Sequence, residues 1–310
     1  MNDYLISVLV YGTFAEKMKP QLTKDIQILE EFQGDMSIKT ATDQIFFSRL
    51  GVSVTAEDIN QASSLAKKII NDYLAFYSLT TLNHFHIVHD EENPIEIVNL
   101  TGDRTPTTKY EPEYGIQDIE GDQFLKNIFI FYGLLQDTKN RYIKNSIEFL
   151  FRGRHIHENK VSLVLAIISL EALFSKSSDT GEIGFKLSNR VAVLLGKNSE
   201  ERKNIRKSIN ELYNMRSKIV HGVPLQDVDF QGIFIWSRMA ILRFLMLAKT
   251  YPDHDSIINE IDNAMIDNGS LMELQTKSSE LLDLVEKNIH DKTISFRVWM
   301  PHFSKENDVE

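Results

Sequence analysis

An arginine and a histidine stand five positions apart near the end of a basic segment, at Arg216 and His221. Arginine carries a permanent positive charge in a planar fork that fits the oxygens of a phosphate group. Histidine gives and takes protons near neutral pH, so it can act as a general acid or base. Side chains of these two types can cleave a phosphodiester bond without a metal ion. The structural alternative is that His221 only caps the last carbonyl groups of a helix and interacts with its dipole.

The spacing by itself does not identify a site, because the chain contains three matches to it. Its 12 arginines and 9 histidines among 310 residues predict roughly 0.35 matches by chance. The three matches are Arg216/His221, Arg152/His157 and Arg297/His302. The second includes Gly153 and is typical of a solvated basic turn, which can still contact phosphates. The third includes Pro301 at the end of a predicted strand, so we assign it to structure.

The first pair lies at the end of a predicted helix over residues 199–220. Over residues 201–220 only two carboxylates oppose six basic side chains, which are Arg202, Lys203, Arg206, Lys207, Arg216 and Lys218. The apolar side chains recur with helical spacing and predict a buried opposite face. Gly222 and Pro224 then end the helix. Residues five apart on an ideal helix point in different directions, so we expect this break to let His221 turn towards Arg216.

The chain from Phe124 onwards predicts one helix after another. The predicted helices cover residues 124–136, 138–151, 158–176, 185–196, 199–220, 230–250, 255–267 and 270–289. Glycine and proline stop signals separate most of them. Helix 158–176 is apolar on nearly all sides, so we expect it to be the central, buried helix of a bundle.

The first third of the chain mixes strand and helix signals. Its predicted elements are strand Tyr4–Tyr11, helix Lys24–Phe32, a helix from Ala56 to Leu79, and strands Phe85–Val88 and Ile95–Val98. Residues 99–123 are polar, with two prolines and three glycines, and predict a linker. The tail contains a predicted strand, Thr293–Met300, which could join the N-terminal sheet. We therefore predict a mainly α protein with an N-terminal α+β domain over 1–123, a helical domain over 124–290, and a C-terminal strand and tail over 291–310.

Composition excludes several classes of function. The chain has no cysteine, which rules out disulfides, thiolate nucleophiles and cysteine-based metal sites. Its net charge of −10 argues against a broad nucleic-acid-coating surface, although one small basic site is compatible with it. A strand would point His89 away from His84 and His86, and the spacing of the three matches no standard zinc pattern. We therefore expect no metal and no cofactor, and keep metal binding by these histidines as a minor alternative.

No segment predicts a membrane span or a secretory signal. The two longest apolar stretches, Val161–Phe174 and Met239–Ala248, are shorter than the roughly 20 residues that a spanning helix needs. The start of the chain lacks the basic region of a signal peptide. We expect a cytoplasmic protein with no membrane partner.

Three blocks in the helical part resemble the HEPN superfamily, and more narrowly the ApeA-like HEPN domains of bacterial defence proteins. The blocks are Leu170–Phe174, Lys186–Ala192 with Leu194 and Leu195, and Leu212–Gly222. The resemblance implies a HEPN-like helical bundle that forms a homodimer and brings two Arg/His pairs into a shared cleft. It also implies a metal-independent endoribonuclease of anti-phage defence that cleaves RNA to a 2′,3′-cyclic phosphate and a 5′-hydroxyl. It does not cover residues 1–123, which we expect to sense or regulate in response to a phage or another trigger.

The resemblance assigns catalysis to Arg216 and His221. His221 would move the proton of the 2′-hydroxyl or of the leaving oxygen, and Arg216 would stabilise the charge of the transition state. The residues expected to support the site or bind RNA are Ser217, Lys218, Arg202, Arg206, Glu171 and Arg190. Glu171 and Arg190 could equally form a buried ion pair inside the bundle.

One position departs from the family pattern. Many active family members have Asn, Asp or His directly after the arginine, where this chain has Ser217. A hydroxyl group can still form a hydrogen bond with a phosphate. The alternative function is a non-catalytic HEPN module that dimerises and binds RNA or a protein partner.

Overall fold

The computed structural model describes most of the helical part of the chain and about half of the N-terminal part. The described residues are 1–11, 26–34, 45–81, 86–87, 96–99, 131–156, 158–176, 178–179, 181–223 and 231–291. The chain divides into two compact units, Met1–Phe129 and Ile130–Glu310. The sequence placed the boundary at residues 123 and 124. The described residues are mainly helical, as predicted.

The N-terminal unit contains an antiparallel sheet and one helix. Its elements are β1 (Asn2–Tyr11), β2 (Ile26–Gly34), β3 (Ile45–Ala56), α1 (Ile59–Thr81), β4 (His86–Ile87) and β5 (Glu96–Asn99). The strand order is β2-β3-β1, and both short strands pair with the remaining edge of β1. Alternate side chains of the sheet are buried, among them Tyr4, Ile6, Leu50, Val52 and Val54. This period of two gives the sheet one apolar face, and α1 packs against β3 and β1.

The prediction from the sequence was wrong for β2. It predicted a helix over Lys24–Phe32, where the structure has a strand that pairs with β3. Glu30 and Glu31 favour helix locally, but the backbone pairing with β3 outweighs this weak preference. Strand β3 was not predicted from the sequence. Strand β1, helix α1 and the two short strands confirm the other predicted elements of this unit within a few residues.

In the described part of the C-terminal unit, residues 131–134 are helical, within the predicted helix 124–136, and Thr138–Asn140 form a short 3-10 helix. Seven longer helices follow. They are α2 (Arg141–His155), α3 (Asn159–Phe174), α4 (Ile183–Leu195), α5 (Ser199–Val220), α6 (Gln231–Thr250), α7 (His254–Ala264) and α8 (Asn268–Asp291). All seven confirm predicted helices, and α5 has the predicted bounds. The predicted strand Thr293–Met300 and most of the predicted linker lie outside the described residues.

Helix α3 lies at the centre of this unit, as its apolar surface predicted. It packs against α2, α4, α5 and α6. Its fully buried residues, among them Leu163, Ile167, Leu170 and Phe174, occupy about half of its circumference, and most of the other half is partly buried. The ring of Phe174 meets that of Phe244 on α6 edge to face, with centroids 5.0 Å apart. Because α3 is fixed on several sides, any polar side chain that it carries has a well-defined position.

The described residues contain no helix that is both long enough and apolar enough to cross a membrane. Within the same part of the chain, no three His, Cys, Asp or Glu side chains are grouped as metal ligands would be. Of the three clustered histidines, His86 belongs to β4, and His84 and His89 lie outside the described residues.

Candidate active site at the end of helix α5

The start of α5 is fixed by local hydrogen bonds. The side chain of Asn198 accepts a hydrogen bond from the backbone N–H of Glu201 at 2.9 Å, which caps the helix. The carboxylate of Glu201 in turn accepts one from the backbone N–H of Lys197 at 2.8 Å. These contacts set the register in which every later side chain of α5 is presented.

The end of α5 is a Schellman turn. The N–H of Val223 donates to the carbonyl of Lys218 at 2.9 Å, and that of Gly222 donates to the carbonyl of Ile219 at 3.0 Å. Gly222 has a φ of +71°, a conformation that glycine adopts without steric cost. His221 keeps a nearly helical backbone, with φ −88° and ψ 7°. The turn therefore satisfies the last carbonyl groups through the backbone.

Arg216 and His221 point in different directions on α5. At about 100° and 1.5 Å per residue, they are separated by about 140° around the helix and about 7.5 Å along it. The expected turn of His221 towards Arg216 is not observed. The break falls at Gly222, one residue after His221, so it leaves the direction of the histidine side chain unchanged.

Arg216 faces the centre of the bundle. Its Nη2 lies 3.5 Å from Oε2 of Glu171 on α3, and its guanidinium lies 5.9 Å from the ring centroid of Tyr213. The side chain of Arg216 is 28% exposed, and that of Glu171 is 20% exposed. Within the described residues, the Nε of Arg216 is buried and has no hydrogen-bond partner. The guanidinium is thus held from one side by a carboxylate, while part of it remains open to solvent.

Burial acts on the carboxylate that holds Arg216. It raises the pKa of Glu171, and the charge of Arg216 and the hydroxyl of Tyr213 partly oppose this shift. Burial, together with the charge of Glu171, also raises the pKa of Tyr213, so its hydroxyl stays protonated. Tyr213 packs against Gly184 on α4, where a Cβ atom would lie only 2.5 Å from the ring atom Cδ1. Gly184 thus packs against the ring of Tyr213, and Tyr213 and Glu171 in turn lie against the guanidinium of Arg216.

His221 lies on the solvent side of α5 with two of the predicted supporting residues. Ser217 and Lys218 precede it by four and three positions, so they share its face of the helix. His221 and Lys218 are exposed and Ser217 is half-buried. The side chain of His221 forms no hydrogen bond or ion pair within the described residues. Because the backbone already satisfies the end of the helix, the imidazole is available to a bound molecule.

Two of the predicted RNA-binding residues lie far from His221. Arg202 is half-buried near the start of α5, and its Nη1 donates to the carbonyl of Gly196 at 3.4 Å. Its Cα is about 28 Å from that of His221 along the helix axis. Arg206 is exposed and about 22 Å away by the same measure. Neither arginine can share a single phosphate with His221 of its own chain.

Arg190 belongs to a different network from Glu171. Its guanidinium donates to Asp179 at 2.6 Å, to Asp262 at 2.8 Å and to the carbonyl of Phe174 at 2.6 Å. The expected alternative of a Glu171–Arg190 ion pair is therefore wrong, because each residue has other partners. Arg190 has a side chain that is 5% exposed, so it anchors the end of α3 and does not face a substrate.

The structure provides little support for a site at either of the other two Arg/His pairs. Arg152 forms an exposed ion pair with Glu148 one turn earlier on α2, at 2.6 Å. Its partner His157 and the pair Arg297/His302 lie outside the described residues.

Tyr213 and Gly184 were not among the site residues predicted from the sequence. Tyr213 precedes Arg216 by three positions, and this helical spacing was the signal that could have found it. Gly184 carried no such signal, since its role depends on where α4 meets α5. Comparisons of the chain with protein-family models, curated proteins and solved structures find no match.

Proposed function

We propose that this chain is a metal-independent HEPN-type endoribonuclease that acts as a homodimer in the cytoplasm, in anti-phage defence. One observation carries the proposal: a supported arginine and an exposed histidine, which has no partner among the described residues, lie within two turns at the end of one helix. Arg216 is held by Glu171 and Tyr213, and His221 is presented by the Schellman turn. The N-terminal unit would sense or regulate.

The chemistry follows from the two side chains. The 2′-oxygen of RNA attacks the adjacent phosphorus, and the bond from phosphorus to the 5′-oxygen breaks. His221 takes the proton of the 2′-hydroxyl or gives one to the leaving 5′-oxygen. Arg216 stabilises the negative charge that builds up on the phosphate oxygens. The products are a 2′,3′-cyclic phosphate and a 5′-hydroxyl, and no metal or cofactor takes part.

A second copy of the chain would complete the site. Arg216 and His221 of one copy are about 140° apart on α5, so one chain alone aligns them poorly on a single phosphate. Four large apolar side chains are exposed at the same end of the α4–α5 pair, namely Ile183, Phe185, Val220 and Val223. Exposed apolar surface of this kind is typical of a contact with another protein. A two-fold contact there would place Arg216 of one copy near His221 of the other.

The alternative is a non-catalytic HEPN module that dimerises and binds RNA or a protein. The ion pair between Arg216 and Glu171 favours this reading, because it partly neutralises the cation that catalysis needs. Ser217, which stands where many active family members have Asn, Asp or His, favours it too.

A cleavage assay separates the two functions. Single-stranded RNA and DNA of one sequence are incubated with the protein in EDTA, and the product ends are identified. We expect cleavage of RNA alone, with 2′,3′-cyclic phosphate ends. Arg216→Ala and His221→Ala should each lower the rate by about 10² to 10⁴-fold. Arg152→Ala, from the rival pair, is the matched control and should leave the rate unchanged. RNA that binds without being cleaved would support the module instead.

A further inference from the structure

A row of exposed polar side chains runs along α5 and ends at His221. At about 100° per residue, six positions fall within an arc of about 80° on the helix surface. They are Lys203, Lys207, Asn210, Asn214, Lys218 and His221, and all six are exposed. We call these six residues the α5 stripe. The buried side chains of α5, such as Ile209 and Leu212, lie on the other side of the helix.

The charge of the α5 stripe is positive, with three lysines against two neighbouring carboxylates. Its three lysines form no ion pair within the described residues. On α5 itself, Glu201 lies on the side away from the stripe. Glu200 lies within the same arc one turn before Lys203, and Glu211 borders the arc one turn after Lys207. Because the chain as a whole carries a net charge of −10, a polyanion is repelled by the protein body and attracted to this local surface.

The dimensions of the stripe fit a nucleic-acid strand. From Lys203 to His221 the helix rises about 27 Å, the length of about eight nucleotides at the stacked spacing of 3.4 Å. Asn210 and Asn214 lie between the lysines, and their amide groups can donate to phosphate and sugar oxygens. No aromatic side chain belongs to the stripe, so it offers no platform for base stacking. Contacts of this type recognise the backbone of a strand and not its sequence.

We propose that the α5 stripe is the substrate-binding subsite of the nuclease, and that it leads the phosphate backbone of single-stranded RNA to His221. The proposal rests on the proposed function in one respect: cleavage at His221 is what makes RNA the occupant. It assigns binding to Lys203 and Lys207, which lie too far from His221 to act in the chemical step.

Binding is tested with 2′-O-methyl RNA of about 12 to 16 nucleotides, or about one and a half to two stripe lengths. This RNA lacks the free 2′-hydroxyl and stays intact. Fluorescence anisotropy is measured over a range of salt concentrations for the wild type and for Lys203→Gln/Lys207→Gln. The slope of log K against log salt should become shallower by about 1.4, or about 0.7 for each lost phosphate contact. The matched control Lys68→Gln/Lys160→Gln removes two exposed lysines from other helices and should leave the slope unchanged. With cleavable RNA, the stripe variant should raise KM and leave kcat unchanged.

The possible results distinguish RNA binding by the α5 stripe from catalysis by Arg216 and His221. An unchanged slope and an unchanged KM in the stripe variant would overturn the α5 stripe, even if Arg216→Ala still abolished cleavage. A shallower slope in a protein that never cleaves RNA would uphold the stripe and remove the catalytic assignment. Equal, salt-dependent binding of polyglutamate would overturn RNA as the occupant and assign the stripe to an acidic protein partner.

Discussion

Gly184→Ala tests the support beneath Arg216 without changing any polar group. A Cβ atom at this position would lie 2.5 Å from Cδ1, 2.9 Å from Cε1 and 3.1 Å from Cγ of Tyr213. Ordinary contact begins at 3.4 Å, so the ring must retreat by about 0.9 Å or α4 must shift. The ring also lies beside Arg216 and interacts with Glu171, so its displacement is passed on to both.

The size of the effect follows from two opposing terms. Overpacking a closely packed site costs about 1 to 3 kcal/mol. Alanine gains up to about 1 kcal/mol over glycine inside a helix, and less in the first turn, where Gly184 lies. The net expectation is a loss of about 1 to 2 kcal/mol in the free energy of unfolding. For a unit of this size, that corresponds to a decrease in Tm of roughly 2 to 8 °C.

Urea and thermal unfolding of four proteins measure this effect. They are the wild type, Gly184→Ala, Tyr213→Ala and the double variant. Removing the ring relieves the clash, so the double variant should be more stable than the sum of the single effects by about 0.5 to 3 kcal/mol. Gly133→Ala is the matched control, because a Cβ atom there meets nothing within 4 Å. A Gly184→Ala protein as stable as the wild type, or additive effects in the cycle, would refute this account of the contact.

Two further substitutions test the carboxylates that contact Arg216 and Arg190. Glu171→Gln should lower kcat about tenfold with little change in KM, because Arg216 loses the carboxylate that orients it. Stopped-flow or gel-based cleavage kinetics would measure this effect. A variant that cleaves faster than the wild type would show that Glu171 only neutralises the charge of Arg216. Asp179→Asn should destabilise the fold most at neutral pH. Burial alone would raise the pKa of Asp179, but the hydrogen bonds from Arg190 and its other donors outweigh burial and hold the pKa well below the ordinary 3.8. The stability contributed by its charged form is therefore present above about pH 4 and lost as the pH falls below that. In urea unfolding, the difference between Asp179→Asn and the wild type should be equal at pH 7 and pH 5 and smaller at pH 3; the same difference at all three would contradict this assignment.

Local signals were sufficient to predict α5 and insufficient to predict β2. The bounds of α5 agree with the sequence because Asn198 caps its start and Gly222 ends it, and both signals lie within the segment. Strand β2 depends on its pairing with β3, the next strand along the chain, which was not identified from the sequence. Glu30 and Glu31 favour a helix when the segment is considered alone, and the pairing with β3 outweighs that preference.

The sequence located the two central residues of the candidate site but not their environment. Arg216 and His221 could be placed along α5, whereas the direction of His221 depended on which residue takes the left-handed conformation, and this is Gly222. The contact between Glu171 and Arg216 joins residues on two helices. No helical periodicity specifies such a contact, and the sequence named Glu171 only as a supporting residue, with no partner other than Arg190. The role of Gly184 required the packing of α4 on α5.

The most direct test of the central claim is to mix two inactive variants. Arg216→Ala and His221→Ala proteins are purified separately, allowed to exchange subunits and assayed for RNA cleavage in EDTA. After random exchange about half of the dimers are mixed, and each mixed dimer keeps one Arg216 and one His221 on different copies. A cleft shared by two copies predicts that the mixture is at least about tenfold more active than either variant alone. A mixture that exchanges subunits but stays inactive would contradict the shared cleft, and either variant cleaving RNA at the wild-type rate would contradict the catalytic role of its missing side chain.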